Sequence, residues 1–277
     1  MPTFDESHDI VVAGYGFAGG AAAIAAADAG GSALLLEKMP DPGGISITAG
    51  GGIRISETAE AAFEYIRASN AGRTPDENIR PIADGMVWLT DWFNELAKSC
   101  GATTCINPRE GNYPFPGYDQ LAFLEVETIP DFDPSMQYPH ARALRGGTRA
   151  GKGGRPANAT GGGAGVFKVV DSAIAERHDK IEVRMSAAVE RLIFDGERVV
   201  GVRANIAGKA VVIEARRGVV LACGGFESAP DLHEQYWQVG PVLSSACRGN
   251  TGDGIRMAQS VGADLWHMWH YHGTYGF

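Results

Sequence analysis

The sequence predicts an α/β fold of the Rossmann-like kind, with a mainly parallel central sheet and a three-stranded β-meander late in the chain. Three observations predict it. A short apolar strand pattern, a glycine turn and an alanine-rich helix pattern follow one another between residues 9 and 29. A hairpin pattern and two further strand patterns crowd together between residues 189 and 222. Glycine makes up 38 of the 277 residues, about twice the usual share. No G-X-Y repeat accounts for them, so they must have local jobs.

The elements follow in order. Asp9 to Ala13 (D-I-V-V-A) is apolar and rich in β-branched residues, as a buried parallel strand would be. Ala18 to Ala29 is nearly all Ala, the best helix former, and Gly30-Gly31 ends it. Ser32 to Glu37 (S-A-L-L-L-E) is a second buried strand, which completes a βαβ unit. A glycine-rich loop runs from Met39 to Gly52. Helical spacing marks Thr58 to Asn70 and Ile79 to Ser99, the latter with Trp88, Leu89, Trp92, Phe93 and Leu96 on one packing face. Residues 106–165 read as irregular, and the basic run at 145–155 suggests a functional loop or a solvated one. Val166 to Glu176 is a helix and Ile181 to Met185 a strand. Val189 to Phe194 and Val199 to Ala204 form a hairpin around Asp195-Gly196-Glu197. Ala210 to Glu214 adds a third strand, and Val219 to Ala222 returns to the central sheet.

Composition excludes several functions. Lys and Arg number 24 against 33 Asp and Glu, a formal charge of −9. An acidic chain without a long Lys/Arg block does not suit nucleic acid or an anionic membrane surface. Cys100, Cys105, Cys223 and Cys247 form no C-x-x-C pair, which points away from zinc and towards a reducing cytoplasm. Ile10 to Ala27 carries no charge but is Gly/Ala-rich, holds a loop signal and lacks Lys/Arg flanks, so no membrane span is expected there.

Gly14-Tyr-Gly16-Phe17-Ala18-Gly19 is a G-x-G-x-x-G motif that leaves a strand and opens a helix, and Glu37 ends the next strand. That context marks a dinucleotide site. Gly14 makes the tight turn, Gly16 admits the pyrophosphate and Gly19 lets helix and strand pack closely. The helix N-terminus offers free N–H groups and partial positive charge to phosphate. Glu37 is expected to accept from a ribose and to disfavour a 2′-phosphate. The next loop separates FAD from NAD. Gly43, Gly44, Ser46, Ala49, Gly50 and Gly51 offer bare backbone for a flat ring system, with the Ser46 hydroxyl as a donor.

These residues resemble a known family. D-I-V-V-A-G-Y-G-F-A-G followed by E-K-M-P-D-P-G-G-I-S-I-T-A-G-G looks like the FAD-dependent flavoproteins that include fumarate reductases, succinate dehydrogenases and 3-ketosteroid dehydrogenases. A-A-V-E-R-L-I-F-D-G-E-R-V-V-G-V at 187–202 is similar to the family's meander, whose first strand touches adenine. G-V-V-L-A-C-G-G-F-E at 218–227 and G-N-T-G-D-G-I-R-M-A at 249–258 resemble its second Gly-Gly strand end and its T-G-D-G box. The resemblance implies FAD and a reaction that adds or removes hydrogen across a C–C bond beside an electron-withdrawing group. It adds Lys38, Met39, Ala188, Val189, Ala222, Cys223, Gly224, Asn250, Thr251, Gly252 and Asp253 to the expected cofactor contacts. Where the succinate and fumarate branch places a FAD-linked His, this chain has Ile45, which implies non-covalent FAD. Its ending, W-H-M-W-H-Y-H-G-T-Y-G-F, lacks that branch's Q-x-H-P motif, so the ketosteroid side fits better and an apolar ketone or enone is the expected substrate.

A Tyr hydroxyl is the acid or polariser that the resemblance suggests. Tyr113, Tyr118 and Tyr275 are the catalytic candidates, with Tyr271 beside them. His267, His270 and His272 match no standard metal spacing, so no metal is expected. Family members run longer than 277 residues, so the whole chain is expected to be an FAD-binding domain. The substrate-capping domain and the last FAD segment would then lie in a missing C-terminal half or in a second subunit. The alternatives are a flavin-binding electron-transfer component and an NAD-dependent enzyme.

Overall fold

The computed structural model describes residues 3–108, 113–138, 162–238, 240 and 247–269. In chain order the elements are β1 (Glu6–Ala13), α1 (Phe17–Asp28), β2 (Ala33–Leu36), β3 (Ile53–Ser56), α2 (Ala59–Ser69), α3 (Asp76–Ala97), β4 (Thr103–Asn107), β5 (Leu121–Thr128) and a single turn α4 (Pro134–Gln137). They continue with α5 (Gly163–Glu176), β6 (Ile181–Arg184), β7 (Ala187–Phe194), β8 (Val199–Ile206), β9 (Lys209–Leu221), α6 (Pro230–Tyr236) and α7 (Asp253–Ser260). They fall into two compact units, Met1–Thr48 with Ile174–Phe277, and Ala49–Ala173.

The first unit is built on a six-stranded sheet of order β6-β2-β1-β9-β8-β7. β6, β2, β1 and β9 run parallel, and β8 and β7 complete an antiparallel meander. The apolar runs explain the parallel part. Val11, Val12 and Leu34 to Leu36 are almost fully buried, each contributing about 1.5–3 kcal/mol. α1 has little sidedness because Ala occupies most of its surface, and it buries Gly19, Gly20, Ala23, Ile24 and Ala27. Small side chains there let the helix lie close to the sheet.

The chain from Lys209 to Leu221 forms one strand of 13 residues rather than the two expected. Its first part pairs with β8 and its later part with β1. The expected break at Arg216-Arg217-Gly218 is a bulge: His8 faces Ala215 but Ile10 faces Gly218. Arg216 reaches back to Asp9 at 3.0 Å. Asp9 also accepts the Ser32 N–H at 2.9 Å. That backbone hydrogen bond, followed by Arg216, holds the Asp9 carboxyl down at about 2.

The second unit corrects the reading of 106–165 as irregular. β3, β5 and β4 form a three-stranded antiparallel sheet. Leu121, Leu124 and Val126 of β5 are buried. β3 lies some 65 residues upstream of its partner, so no hairpin turn announced the pairing. α2 follows its expected span, with the Thr58 hydroxyl accepting the Ala61 N–H at 3.2 Å. The packing face assigned to α3 is only partly so. Phe93 and Leu96 are buried, whereas Trp88 is 57 % exposed and meets Trp92 edge-on.

Candidate cofactor-binding site

The C-terminal ends of β1, β2 and β9 open into a cleft of about 470 Å³ in the first unit. Ligands of open parallel sheets bind at such strand ends. The geometry there is fixed by close backbone contacts. Gly14 N donates to Leu36 O at 2.7 Å, and Ala222 N donates to Ala13 O at 2.8 Å. Gly14 has φ +106°, and a Cβ on it would lie 2.3 Å from the Ala222 carbonyl oxygen. A Cβ on Gly19 would lie 1.8 Å from the Gly14 carbonyl oxygen. Only hydrogen fits between α1 and the turn, which is the role the sequence assigned to this glycine.

Glu37 is 8 % exposed at the end of β2. Its Oε2 accepts the Tyr15 N–H and its Oε1 the Met39 N–H, both at 2.8 Å. Each carboxylate oxygen has two acceptor positions, so the pair of backbone donors orients the group and leaves one position on each oxygen. Ser46 Oγ accepts the Phe17 N–H at 3.0 Å, and its own O–H stays available as the expected donor. The N–H groups of Ala18 and Gly19 belong to the first helical turn, which has no carbonyl of its own helix to meet. They supply the positive end of the α1 dipole at the cleft.

On the far side, Lys38 Nζ donates to Asp253 Oδ2 at 2.6 Å and to Thr251 Oγ1 at 2.7 Å. Thr251 in turn donates to Asp253 at 2.8 Å. This network ties the end of β2 to the first residue of α7. Cys223 donates to Ala13 O at 3.4 Å, and burial pushes its thiol up to about 11. Asn250 is 6 % exposed, and its Nδ2 has no hydrogen-bond partner among the described residues.

Most of the expected contacts meet in this cleft: Gly14, Gly16, Phe17, Ala18, Glu37, Lys38, Met39, Gly43, Gly44, Ser46, Val189, Ala222, Cys223, Gly224, Asn250 and Asp253 all line it. Ala188 does not. Strand alternation turns Ala187 and Val189 into the cleft and sends Ala188 to a neighbouring groove beside α7. Gly19, Thr251 and Gly252 support the wall rather than line it. Ala49, Gly50 and Gly51 fall in the second unit, where Ala49 O accepts the Gly163 N–H at 2.8 Å. Sequence reasoning did not name Ala13, Tyr15, Leu36, Ile45, Ala187, Leu221, Cys247 and Gly249 as cofactor contacts, yet they line the cleft. Ala13, Leu36 and Leu221 are the last residues of β1, β2 and β9 and could have been found from that rule.

Tyr113 and Tyr118 belong to the second unit and are 75 % and 44 % exposed. Tyr271, Tyr275, His270, His272 and the basic run at 145–155 lie outside the described residues. Among the described residues no group of three His, Cys, Asp or Glu could hold a metal, and no helix is long and apolar enough to cross a membrane.

The parallel strand order, the glycine turn at α1 and the oriented acid on β2 define a dinucleotide-binding protein of the Rossmann-like class. The sequence profile of the FAD binding domain family matches residues 9–272, and the chain belongs to that family. It is 28 % identical to a 3-oxosteroid 1-dehydrogenase of Mycolicibacterium smegmatis, over 94 % of this chain and 54 % of that protein. It is 29 % identical to a 4-oxocyclohexanecarboxylate 2-dehydrogenase of Sinomonas cyclohexanicum, over 93 % of this chain and 50 % of that protein. In fold it is similar to the crystal structure of 3-ketosteroid delta1-dehydrogenase from Sterolibacterium denitrificans in complex with 1,4-androstadiene-3,17-dione. That match has a TM-score of 0.75 at 22 % identity and covers 95 % of this chain and 56 % of the other. The chain thus spans about half the length of the curated relatives it matches.

The cleft residues fit FAD. Gly14, Gly16 and Gly19 leave a bare backbone at the turn, the first turn of α1 offers N–H groups, and Glu37 retains acceptor positions. The Asn250 amide, without a partner among the described residues, marks a polar wall of the cleft.

Proposed function

We propose that the protein is a flavin-dependent oxidoreductase that moves hydrogen across a C–C bond next to a carbonyl, with an apolar, ketosteroid-like ketone or enone as substrate. The observation that carries this reading is a cleft suited to FAD in a chain 28 % identical to a 3-oxosteroid 1-dehydrogenase. FAD, when bound, supplies the two-electron chemistry.

The chain's own residues bind and orient. Gly16, Phe17 and Ala18 hold the pyrophosphate at the α1 N-terminus. Glu37 accepts from the adenosine ribose, and Ala187 and Val189 flank the adenine. Ser46 donates its hydroxyl, and Gly43 and Gly44 leave space for the ring system. Ile45 has no nucleophilic atom, so FAD is held without a covalent bond. Tyr113, Tyr118 and Tyr275 are the candidates that move the second proton or polarise the carbonyl. The cytoplasm is the proposed compartment: Cys100, Cys105, Cys223 and Cys247 are all free thiols.

A second reading is a flavin-binding subunit or electron-transfer component whose capping domain comes from another chain. What favours it is that neither Tyr113 nor Tyr118 lines the cleft. Purification followed by anaerobic titration tests both. Flavin absorbance bands are expected in the purified protein, and their absence overturns both readings. Bleaching by a ketosteroid or by 4-oxocyclohexanecarboxylate supports the first reading, and bleaching by succinate alone overturns its ketone substrate. A flavin-loaded protein that none of the three bleaches leaves the second.

A further inference from the structure

The second unit carries a group of residues that the cofactor reading does not use. Arg54 of β3 lies opposite Phe123 of β5. Its guanidinium carbon is 4.5 Å from the centre of the Phe123 ring and 5.6 Å from that of Tyr65. Tyr65 meets Phe115 edge-on at 5.8 Å, and Phe115 meets Tyr113 at 6.4 Å. Phe115 and Tyr113 are 36 % and 75 % exposed. A row of rings therefore leads from the half-buried Arg54 out to solvent.

Two other arginines of this unit also lie over a ring, that of Phe63: Arg80 at 3.8 Å and Arg67 at 5.9 Å. Each has carboxylate partners. Arg80 pairs with Glu60 at 3.1 Å, and Arg67 pairs with Asp76 at 3.5 Å and Glu64 at 3.9 Å. Arg54 has no carboxylate and no hydrogen-bond acceptor among the described residues. The rings satisfy the flat faces of a guanidinium, but its five N–H groups point outwards in the plane and need acceptors.

We propose that Arg54, with Phe123, Tyr65, Phe115 and Tyr113, forms a binding site for a small molecule that carries a carboxylate on an apolar body. The guanidinium fork matches a carboxylate in two parallel hydrogen bonds, which an amide or a ketone cannot reproduce. The rings take the apolar part. The chain's −9 charge repels anions at long range, so selectivity rests on that short-range fork. Tyr113 is shared with the candidates of the proposed flavin chemistry, but the carboxylate fork of Arg54 goes beyond that chemistry and does not depend on it.

Isothermal titration calorimetry of the full chain, purified with whatever flavin it holds, tests the site. The probes are cyclohexanecarboxylate and cyclohexanecarboxamide, which share the ring and differ in charge. The carboxylate is expected to bind at least about tenfold tighter. Added salt is expected to weaken the carboxylate alone. Arg54→Met keeps the apolar stem and should erase the preference, and Arg54→Lys should keep only part of it. Equal binding of the two probes, binding of neither, or a preference that survives in Arg54→Met overturns the proposal. If Arg54→Met does not fold, the salt dependence and Arg54→Lys decide: salt-insensitive carboxylate binding, or full affinity in Arg54→Lys, overturns it. The flavin spectrum of the same sample reports separately on the cofactor reading.

Discussion

Glu37 Oε2 accepts the Tyr15 N–H at 2.8 Å, so the acid on β2 is gripped by the turn that precedes α1. Met39 N–H holds the other oxygen at 2.8 Å. Glu37→Ala should therefore do more than remove a ribose contact. The buried Tyr15 N–H loses its acceptor, at about 1–3 kcal/mol, and the half-buried Met39 N–H loses one as well. We expect a lower thermal midpoint in the flavin-free protein and FAD binding weakened by at least about tenfold. Unchanged stability in a thermal melt would contradict the gripping role.

Gly19→Ala tests the close approach of helix and turn. Its new methyl would lie 1.8 Å from the Gly14 carbonyl oxygen, so backbone must move. The expected cost is about 3 kcal/mol or more, with loss of flavin on purification. Gly30→Ala is a poor control because φ there is +82°. Ala22→Gly, in the same helix, should cost only about 1 kcal/mol.

Acid should unfold the first unit through Asp9, among other groups. Its folded carboxyl sits at about 2, held by the Ser32 N–H and then Arg216, against about 3.9 in an unfolded chain. A depressed acid contributes stability that is complete above about pH 4 and lost as pH falls towards 2. Asp9→Asn should show a shallower loss of stability across that window in acid titrations followed by circular dichroism. Identical curves for the two proteins would exclude the contribution.

Cys223 should be a slow thiol. Burial first, then Asp253, raises it to about 11, with Lys38 opposing. Labelling by iodoacetamide at pH 8 should run at least about 100-fold slower than in the unfolded chain. The rate should climb as pH rises towards 11. Peptide mapping by mass spectrometry that finds rapid labelling at pH 8 would sink this assignment.

What could be read from the sequence was what is local. The β1–α1–β2 unit shows itself because an apolar run, a glycine turn and an alanine helix are contiguous, and Glu37 falls where such a unit ends. The meander shows itself because Asp195-Gly196 and Ala207-Gly208 are tight turns between strands. The continuity of β9 was hidden by Arg216-Arg217-Gly218, a bulge in its parallel pairing with β1. The β3–β5 pairing was hidden because its partners are distant in sequence. The Lys38–Thr251–Asp253 network was hidden for the same reason, although all three residues had been marked for the cofactor.

The pairing of β1 with β9 joins Glu6 to Ile213 and Ala13 to Leu221. A ribosome making about 5–20 residues per second needs roughly 10–40 s to travel between those partners. Throughout that interval one edge of the strand D-I-V-V-A has no neighbour. The glycine turn is therefore made before its second wall, at Ala222, and gains that wall only when β9 has been translated. Closure of the nucleotide cleft waits on a strand translated long after the glycine turn, and the exposed edge before it is the place for a chaperone to act.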